Sequence, residues 1–246
     1  MNETQIRAKQ EPHVCDGNHA AAKAILQADY DGEGYYPITP SSDVGEAVSE
    51  AVAAGTTDID FVIGTSELAV AGIVTGMSIA GGRAVDVTSA NGLLLKAEQM
   101  PVISGIGLPV VMNLSTRAVS GPLNIKNSHD DLMQALGWGW IILCAPTVQS
   151  IYDLNFIALK IAETVNLPAI VAYDGFHTSH AVRKISVFSD SESIRQFLGS
   201  KPKRPTLLDI DDPKTFGPYM NDDLINNKVQ LEKKMAEAAR LLPNIL

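Results

Sequence analysis

Short, continuous apolar runs, each followed by a longer helical stretch, recur between residues 17 and 175 of this chain. GNHAAAKAILQAD (17–29) carries small, helix-favouring residues that permit close packing. YYPITP (35–40) reads as a strand running into a loop, because its two prolines cannot donate to a ladder. SSDVGEAVSEAVAAG (41–55) reads as a helix with Ser41 or Ser42 as N-cap and Gly55 as its stop. FVIG (61–64) is the next strand, and SELAVAGIVTGMSIAGG (66–82) a helix capped by Ser66. RAVDVTS (83–89) is a strand, NGLLLKAEQMPVISGIG (91–107) mostly helix, and VVMNLS (110–115) a strand. A helix from SHDDLMQALGW (128–138), a strand WIILCAP (140–146), a long helix (148–166) and a strand PAIVAYDG (168–175) complete the series.

Apolar runs without polar alternation belong to strands buried on both faces, which is the habit of parallel sheets covered by helices. The pattern predicts an α/β fold: a doubly wound, mostly parallel open sheet of about six strands. Ligands of such sheets sit in the loops beyond the carboxyl ends of the strands. After Gly175 the rhythm stops. An irregular C-terminal extension with KPKRP and DDPKTFGP breakers leads to an amphipathic terminal helix (224–242). The expected organisation is an N-terminal arm (1–16), an α/β domain (17–220) and a C-terminal helix (221–246) leading toward a further domain.

With 46% hydrophobic and 19% charged residues, the 246-residue chain has enough apolar material for a sizeable core. A net charge of −9 repels phosphate backbones, so nucleic acid is not expected as a partner. No apolar run reaches the roughly 18–20 residues of a membrane span, and the polar start lacks an apolar signal core. No membrane association and a cytoplasmic location are therefore expected. Cys15 and Cys144 form no CxxC pair, and the five histidines show no metal-ligand spacing, so no metal site is expected within the chain.

Several strand ends carry chemistry. Pro37, Ile38, Thr39 and Pro40 precede Ser41 and Ser42 at a helix start, where backbone N–H groups and the Thr39 hydroxyl can meet an anion. Glu67 stands in the first turn of a helix of small apolar residues. Taken alone, it reads as a carboxylate complementing the helix dipole, and the same placement suits a partly buried acid used for proton work. Arg117 follows a strand end and can grip a carboxylate bidentately; alone, it equally suits a surface ion pair. Thr88–Gly92, at a third strand end, reads as a turn with possible ligand contact, and DGFHTSH (174–180) offers too few ligands for a metal. The phosphate loop GxxxxGK[ST], the dinucleotide fingerprint and the GxSxG elbow are all absent.

Taken in order, YPITPSS (36–42), SELAVAG (66–72), TSANGLLL (88–95), PVVMNLSTRA (109–118) and DGFHTSH (174–180) resemble the first domain of the pyruvate:ferredoxin oxidoreductase family and its 2-oxoacid relatives. The resemblance covers roughly residues 16–220 and implies the pyrimidine-binding domain of a thiamine diphosphate enzyme. It places the family's activating glutamate on Glu67, which would hydrogen-bond N1′ of the aminopyrimidine and so promote loss of the thiazolium C2 proton. It places the substrate-binding threonine and arginine on Thr39 and Arg117, and a backbone contact to the pyrimidine on Pro37. The implied reaction is oxidative decarboxylation of a small 2-oxoacid to its acyl-CoA. The diphosphate–magnesium motif and cluster cysteines are missing, so Mg2+ and the 4Fe-4S clusters are expected in partner subunits. Diphosphate-binding and iron–sulfur subunits, ferredoxin or flavodoxin, and coenzyme A are the implied partners. GPLNIKNSHDD (121–131) departs from the pyruvate pattern, which leaves pyruvate, a branched-chain 2-oxoacid and oxalate as substrates. A non-redox thiamine diphosphate lyase or transferase half-domain, and a non-catalytic assembly subunit, are the competing readings.

Overall fold

The computed structural model describes residues 10–202, 206, 208–215, 217 and 223–245. The strands are β1 (Gln10–Cys15), β2 (Gly32–Tyr35), β3 (Asp60–Ile63), β4 (Ala84–Thr88), β5 (Val111–Thr116), β6 (Ile141–Cys144), β7 (Ala169–Asp174) and β8 (Arg183–Phe188). The α-helices are α1 (Gly17–Gln27), α2 (Ser42–Ala53), α3 (Glu67–Ile79), α4 (Ala90–Leu95), α5 (Met100–Gly105), α6 (Asp130–Gln134), α7 (Val148–Val165), α8 (Ser191–Leu198) and α9 (Leu224–Ile245).

Six strands form one sheet in the order β3-β2-β4-β5-β7-β6, with every neighbouring pair parallel. The expected six-stranded, doubly wound α/β fold is thus present. Strand β4 is buried at all five positions and β5 at all six, as strands covered on both faces must be. One face packs Ile25 of α1, Val44 and Val48 of α2, and Leu159 and Ile161 of α7 onto Val85, Val111 and Val171. The other packs Val74 of α3, Leu93 of α4 and Ile103 of α5 onto Met112, Leu114 and Ile170.

Local chemistry sets the element ends. The Ser66 hydroxyl accepts from the Ala69 N–H and starts α3, as its sequence predicts. Gly55, the expected stop of α2, has φ +66°. Ser41 behaves differently from a side-chain cap: its hydroxyl donates back to the Ile38 carbonyl at 2.9 Å.

Two elements differ from their expected places. The strand expected at 35–40 lies upstream, at Gly32–Tyr35. A Cβ on Gly32 would lie 2.6 Å from Met77 Sδ, and one on Gly34 2.9 Å from Val70 and Val74, so the bare backbone lets α3 press onto β2. The stretch expected to be mostly helix at 91–107 is so, but divided into α4 and α5, with Lys96 turned inward at the break and Pro101 opening α5. The helix expected at 128–138 contracts to α6 and a 3₁₀ turn at Ala135–Gly137.

Of the expected N-terminal arm, residues 1–9 lie outside the described residues, and residues 10–15 form β1. It pairs antiparallel with β8, a strand in the segment where no βα rhythm was expected. Helix α8 follows β8, and the terminal helix α9 packs on α7 and α5. The boundary expected at 220/221 lies outside the described residues.

Candidate functional site

The chain leaves β2 outward to β3 and returns to β4 on the other side of β2. That reversal opens a crevice beyond the carboxyl ends of β2 and β4, where open α/β sheets take ligands. Hydrogen bonds and close packing knit the loops around it. The Ser89 hydroxyl after β4 donates to the Ser41 hydroxyl after β2 at 3.0 Å. Asn18 at the start of α1 donates to the Pro40 carbonyl at 2.7 Å. A Cβ on Gly175, after β7, would sit 2.5 Å from the Thr116 carbonyl and 2.7 Å from the Pro40 ring.

Glu67 is the first residue of α3 and is 9% exposed. Because Ser66 does the capping, the Glu67 carboxylate is not needed at the helix end. It has no hydrogen-bond partner among the described residues. Gly92 lies directly against it: an added Cβ would be 2.9 Å from Glu67 Oε1 and 2.6 Å from Thr88 Oγ1. The Thr88 hydroxyl is buried and has no partner among the described residues. A carboxylate and a hydroxyl therefore converge on a space that only glycine leaves open.

Arg117 is 5% exposed, and one of its terminal nitrogens donates to the Thr39 carbonyl at 2.5 Å. Its Nε is buried and unpartnered. Burial lowers the guanidinium pKa, while the Asp131 and Glu67 charges oppose that shift. Asp131, fully buried at the start of α6, accepts from the backbone N–H groups of Ala90 (2.8 Å), Arg117 (3.0 Å) and Leu132 (2.8 Å).

Behind Glu67 lies a buried ion pair. Lys96 Nζ donates to both oxygens of Asp86 at 2.6 Å, and both side chains are closed off from solvent. Burial pushes the Asp86 pKa up and the Lys96 pKa down, and their mutual attraction opposes both shifts. The Glu67 charge reaches both members of the pair.

Of the four residues expected at the site, Arg117 and Thr39 are joined by a hydrogen bond, and Glu67 lies within electrostatic reach of Arg117. No hydrogen bond links Glu67 to Thr39 or Pro37 among the described residues. Pro37 and Thr39 are exposed on the loop after β2, and the Thr39–Pro40 peptide is cis. In DGFHTSH, His180 stacks on Phe176 with ring centroids 4.5 Å apart and faces Asp43 at 3.5 Å. Asp174 pairs with His129 at 2.7 Å. No group of three or more metal-ligating side chains occurs among the described residues.

Sequence reading missed Asp131, Asp86 and Lys96, and found Thr88 only as part of a turn with possible ligand contact. The usable signal was Asp86 inside the apolar run AVDVT and Lys96 directly after three leucines, since a charge in such runs calls for a buried partner. HDD at a helix start gave no sign that one of its acids is buried.

A family model described as "Pyruvate flavodoxin/ferredoxin oxidoreductase, thiamine diP-bdg" matches residues 23–244. The chain belongs to this family. Within it, the pyruvate synthase subunit PorA of Thermotoga maritima is 37% identical over 233 residues, which are 93% of this chain and 59% of that protein. PorA of Methanocaldococcus jannaschii is 34% identical, over 96% of this chain and 61% of that protein. The ketoisovalerate oxidoreductase subunit VorA of Pyrococcus abyssi is 31% identical, over 94% and 59%. The chain thus spans about three fifths of the length of these relatives. A solved 2-oxoglutarate:ferredoxin oxidoreductase from Magnetococcus marinus, with 2-oxoglutarate, coenzyme A and succinyl-CoA bound, superposes with a TM-score of 0.78. That match covers 94% of this chain and 45% of the other at 19% identity, a likeness of fold. No helix among the described residues is long and apolar enough to cross a membrane.

Proposed function

We propose that this chain supplies the aminopyrimidine-binding half of a thiamine diphosphate site in a cytoplasmic 2-oxoacid:ferredoxin oxidoreductase, with Glu67 as the cofactor-activating acid. The observation that carries this reading is a buried Glu67 carboxylate, unclaimed by any hydrogen bond among the described residues, set against Gly92 beyond the end of β4 and within electrostatic reach of Arg117. The residues fit the group. A buried acceptor and two buried orphans, Thr88 Oγ1 and Arg117 Nε, are what a polar heteroaromatic ring and an anionic substrate require.

When bound, thiamine diphosphate supplies the carbanion chemistry that cleaves the bond beside a 2-oxo group. Glu67 has the simpler task of sharing a proton with a ring nitrogen. An apolar helix start keeps water from competing for that proton. Arg117 takes the substrate carboxylate, because its fork geometry and permanent charge suit that anion. Thr39 offers its hydroxyl at the crevice mouth, and Pro37 lines the ring through its backbone.

The chain has no diphosphate–magnesium motif, so a diphosphate-binding partner holding Mg2+ completes the site. An iron–sulfur partner carrying 4Fe-4S clusters passes electrons to ferredoxin or flavodoxin, and coenzyme A receives the acyl group. Pyruvate is the first substrate to test, because relatives named pyruvate synthase reach 37% identity and those named ketoisovalerate oxidoreductase 32%. The test is purification with bound partners, followed by a panel of 2-oxoacids reducing a viologen dye. Reduction dependent on coenzyme A and thiamine diphosphate is expected from the complex and not from the single chain. Robust turnover by the single chain, or no 2-oxoacid oxidation by the complex, would overturn the reading.

A further inference from the structure

Asp131 has no exposed surface, yet its three partners are all backbone N–H groups. A carboxylate that merely served its own helix would need only Oδ1, which accepts from Leu132. Oδ2 reaches outside the helix and takes two N–H groups at once, those of Ala90 and Arg117. Ala90 opens α4 just after β4, and Arg117 begins the loop after β5; the two strands are neighbours in the sheet. Ala90 is held at φ +38°, a left-handed conformation that costs a residue bearing a Cβ. Such a conformation persists only where the surrounding structure holds it, and the Asp131 bond falls on the N–H of this strained residue. The adjacent acid, Asp130, is exposed, and its carboxylate accepts from the nearby Ser128 hydroxyl.

We infer that Asp131 is a positioning residue: by gripping the Ala90 and Arg117 N–H groups with one oxygen, it sets where the Arg117 guanidinium meets the substrate carboxylate. The inference rests on the functional reading above. Arg117 has two anchors, one at its backbone from Asp131 and one at its guanidinium from the Thr39 carbonyl. With both in place, the remaining guanidinium N–H groups are pre-aimed, so substrate binding orders little. The same carboxylate also favours the charged form of the guanidinium against the effect of its burial.

The test compares wild type, Asp131→Ala and Asp131→Asn in the complex with partner subunits. It reads KM and kcat for the 2-oxoacid, thermal stability, and amide exchange over residues 88–92 and 115–118. Asp131→Ala should raise KM by roughly tenfold or more with a smaller change in kcat. Asp131→Asn can keep its amide oxygen on Ala90 and Arg117, at the cost of turning its NH2 toward the Leu132 N–H, and should restore part of the KM. Exchange should quicken in the two segments of Asp131→Ala and remain unchanged in β7. A variant with lowered stability and kcat but wild-type KM, with no recovery in Asp131→Asn, would reduce Asp131 to a structural residue. If the wild-type complex oxidises no 2-oxoacid, the functional reading fails, and the substrate part of this inference with it. The exchange arm then decides the clamp alone, and unchanged exchange in both segments would overturn it.

Discussion

The Arg117 guanidinium donates to the Thr39 backbone carbonyl at 2.5 Å and thereby ties the loop after β5 to the loop after β2. The tie uses the Thr39 backbone, so the Thr39 hydroxyl takes no part in it. Arg117→Lys keeps the charge and loses the fork, and should raise KM for the 2-oxoacid by at least about tenfold. Thr39→Ala should leave thermal stability within a degree or two and affect only turnover kinetics. A parallel loss of stability and activity in Thr39→Ala would show that its side chain also holds the loop.

Gly92 leaves open the space into which Glu67 and Thr88 project. In Gly92→Ala the new methyl would lie 2.6 Å from Thr88 Oγ1 and 2.9 Å from both Cγ and Oε1 of Glu67, so both side chains must shift. The clashes are with side chains rather than backbone, so the fold should survive with a cost of about 1–3 kcal/mol. Activity of the assembled enzyme should fall by at least about tenfold, because small misplacements of a proton-sharing group are costly. Full activity in Gly92→Ala would detach Glu67 from the crevice.

The Asp86–Lys96 pair is closed off from solvent. Lys96→Met strands the Asp86 charge in the core and should cost roughly 3–5 kcal/mol in chemical denaturation. Replacing both residues, as Asp86→Leu with Lys96→Met, should recover most of that loss. If the double variant is no more stable than the single one, the pair is not the origin of the cost.

Asp153, on α7, is a carboxyl that burial raises from 3.8 to about 6, against a hydrogen bond from Gln149. Between those values the unfolded chain has lost the proton and the folded chain keeps it. Stability therefore falls as pH rises through about 4 to 6, and the penalty is complete above that window. After allowance for partial solvent access, the penalty is on the order of 1–2 kcal/mol. Asp153→Asn should raise the melting temperature by a few degrees at pH 7.5 and leave it unchanged near pH 4. Equal shifts at both pH values would exclude the ionisation as the cause.

Much of the fold was legible because the sheet strands carry runs of apolar residues, as in the AIVA of β7, and five of the six sheet strands are followed by a helix. Strand β2 was misplaced because GEGY carries the residues of a turn; its glycines serve helix packing, which local sequence does not announce. Strand β8 had a readable alternation, with Ile185 and Val187 buried between exposed neighbours, masked by the charges at its start. At the site, Glu67 and Arg117 emerged from the order of the motifs, since each alone resembles a common helix-start acid or a surface cation. Asp131 could not be found that way. Its role comes from two N–H groups 41 and 14 residues distant, a relationship only the folded chain creates.

Glu67 is best tested by measuring exchange of the thiazolium C2 proton of thiamine diphosphate in the assembled complex, by NMR after acid quench, for wild type and Glu67→Gln. The variant retains size and fold and loses the acid. Exchange in the variant is expected to slow by roughly 10²–10⁴-fold, with cofactor still bound. Wild-type exchange in a folded, cofactor-loaded Glu67→Gln complex would contradict the assignment.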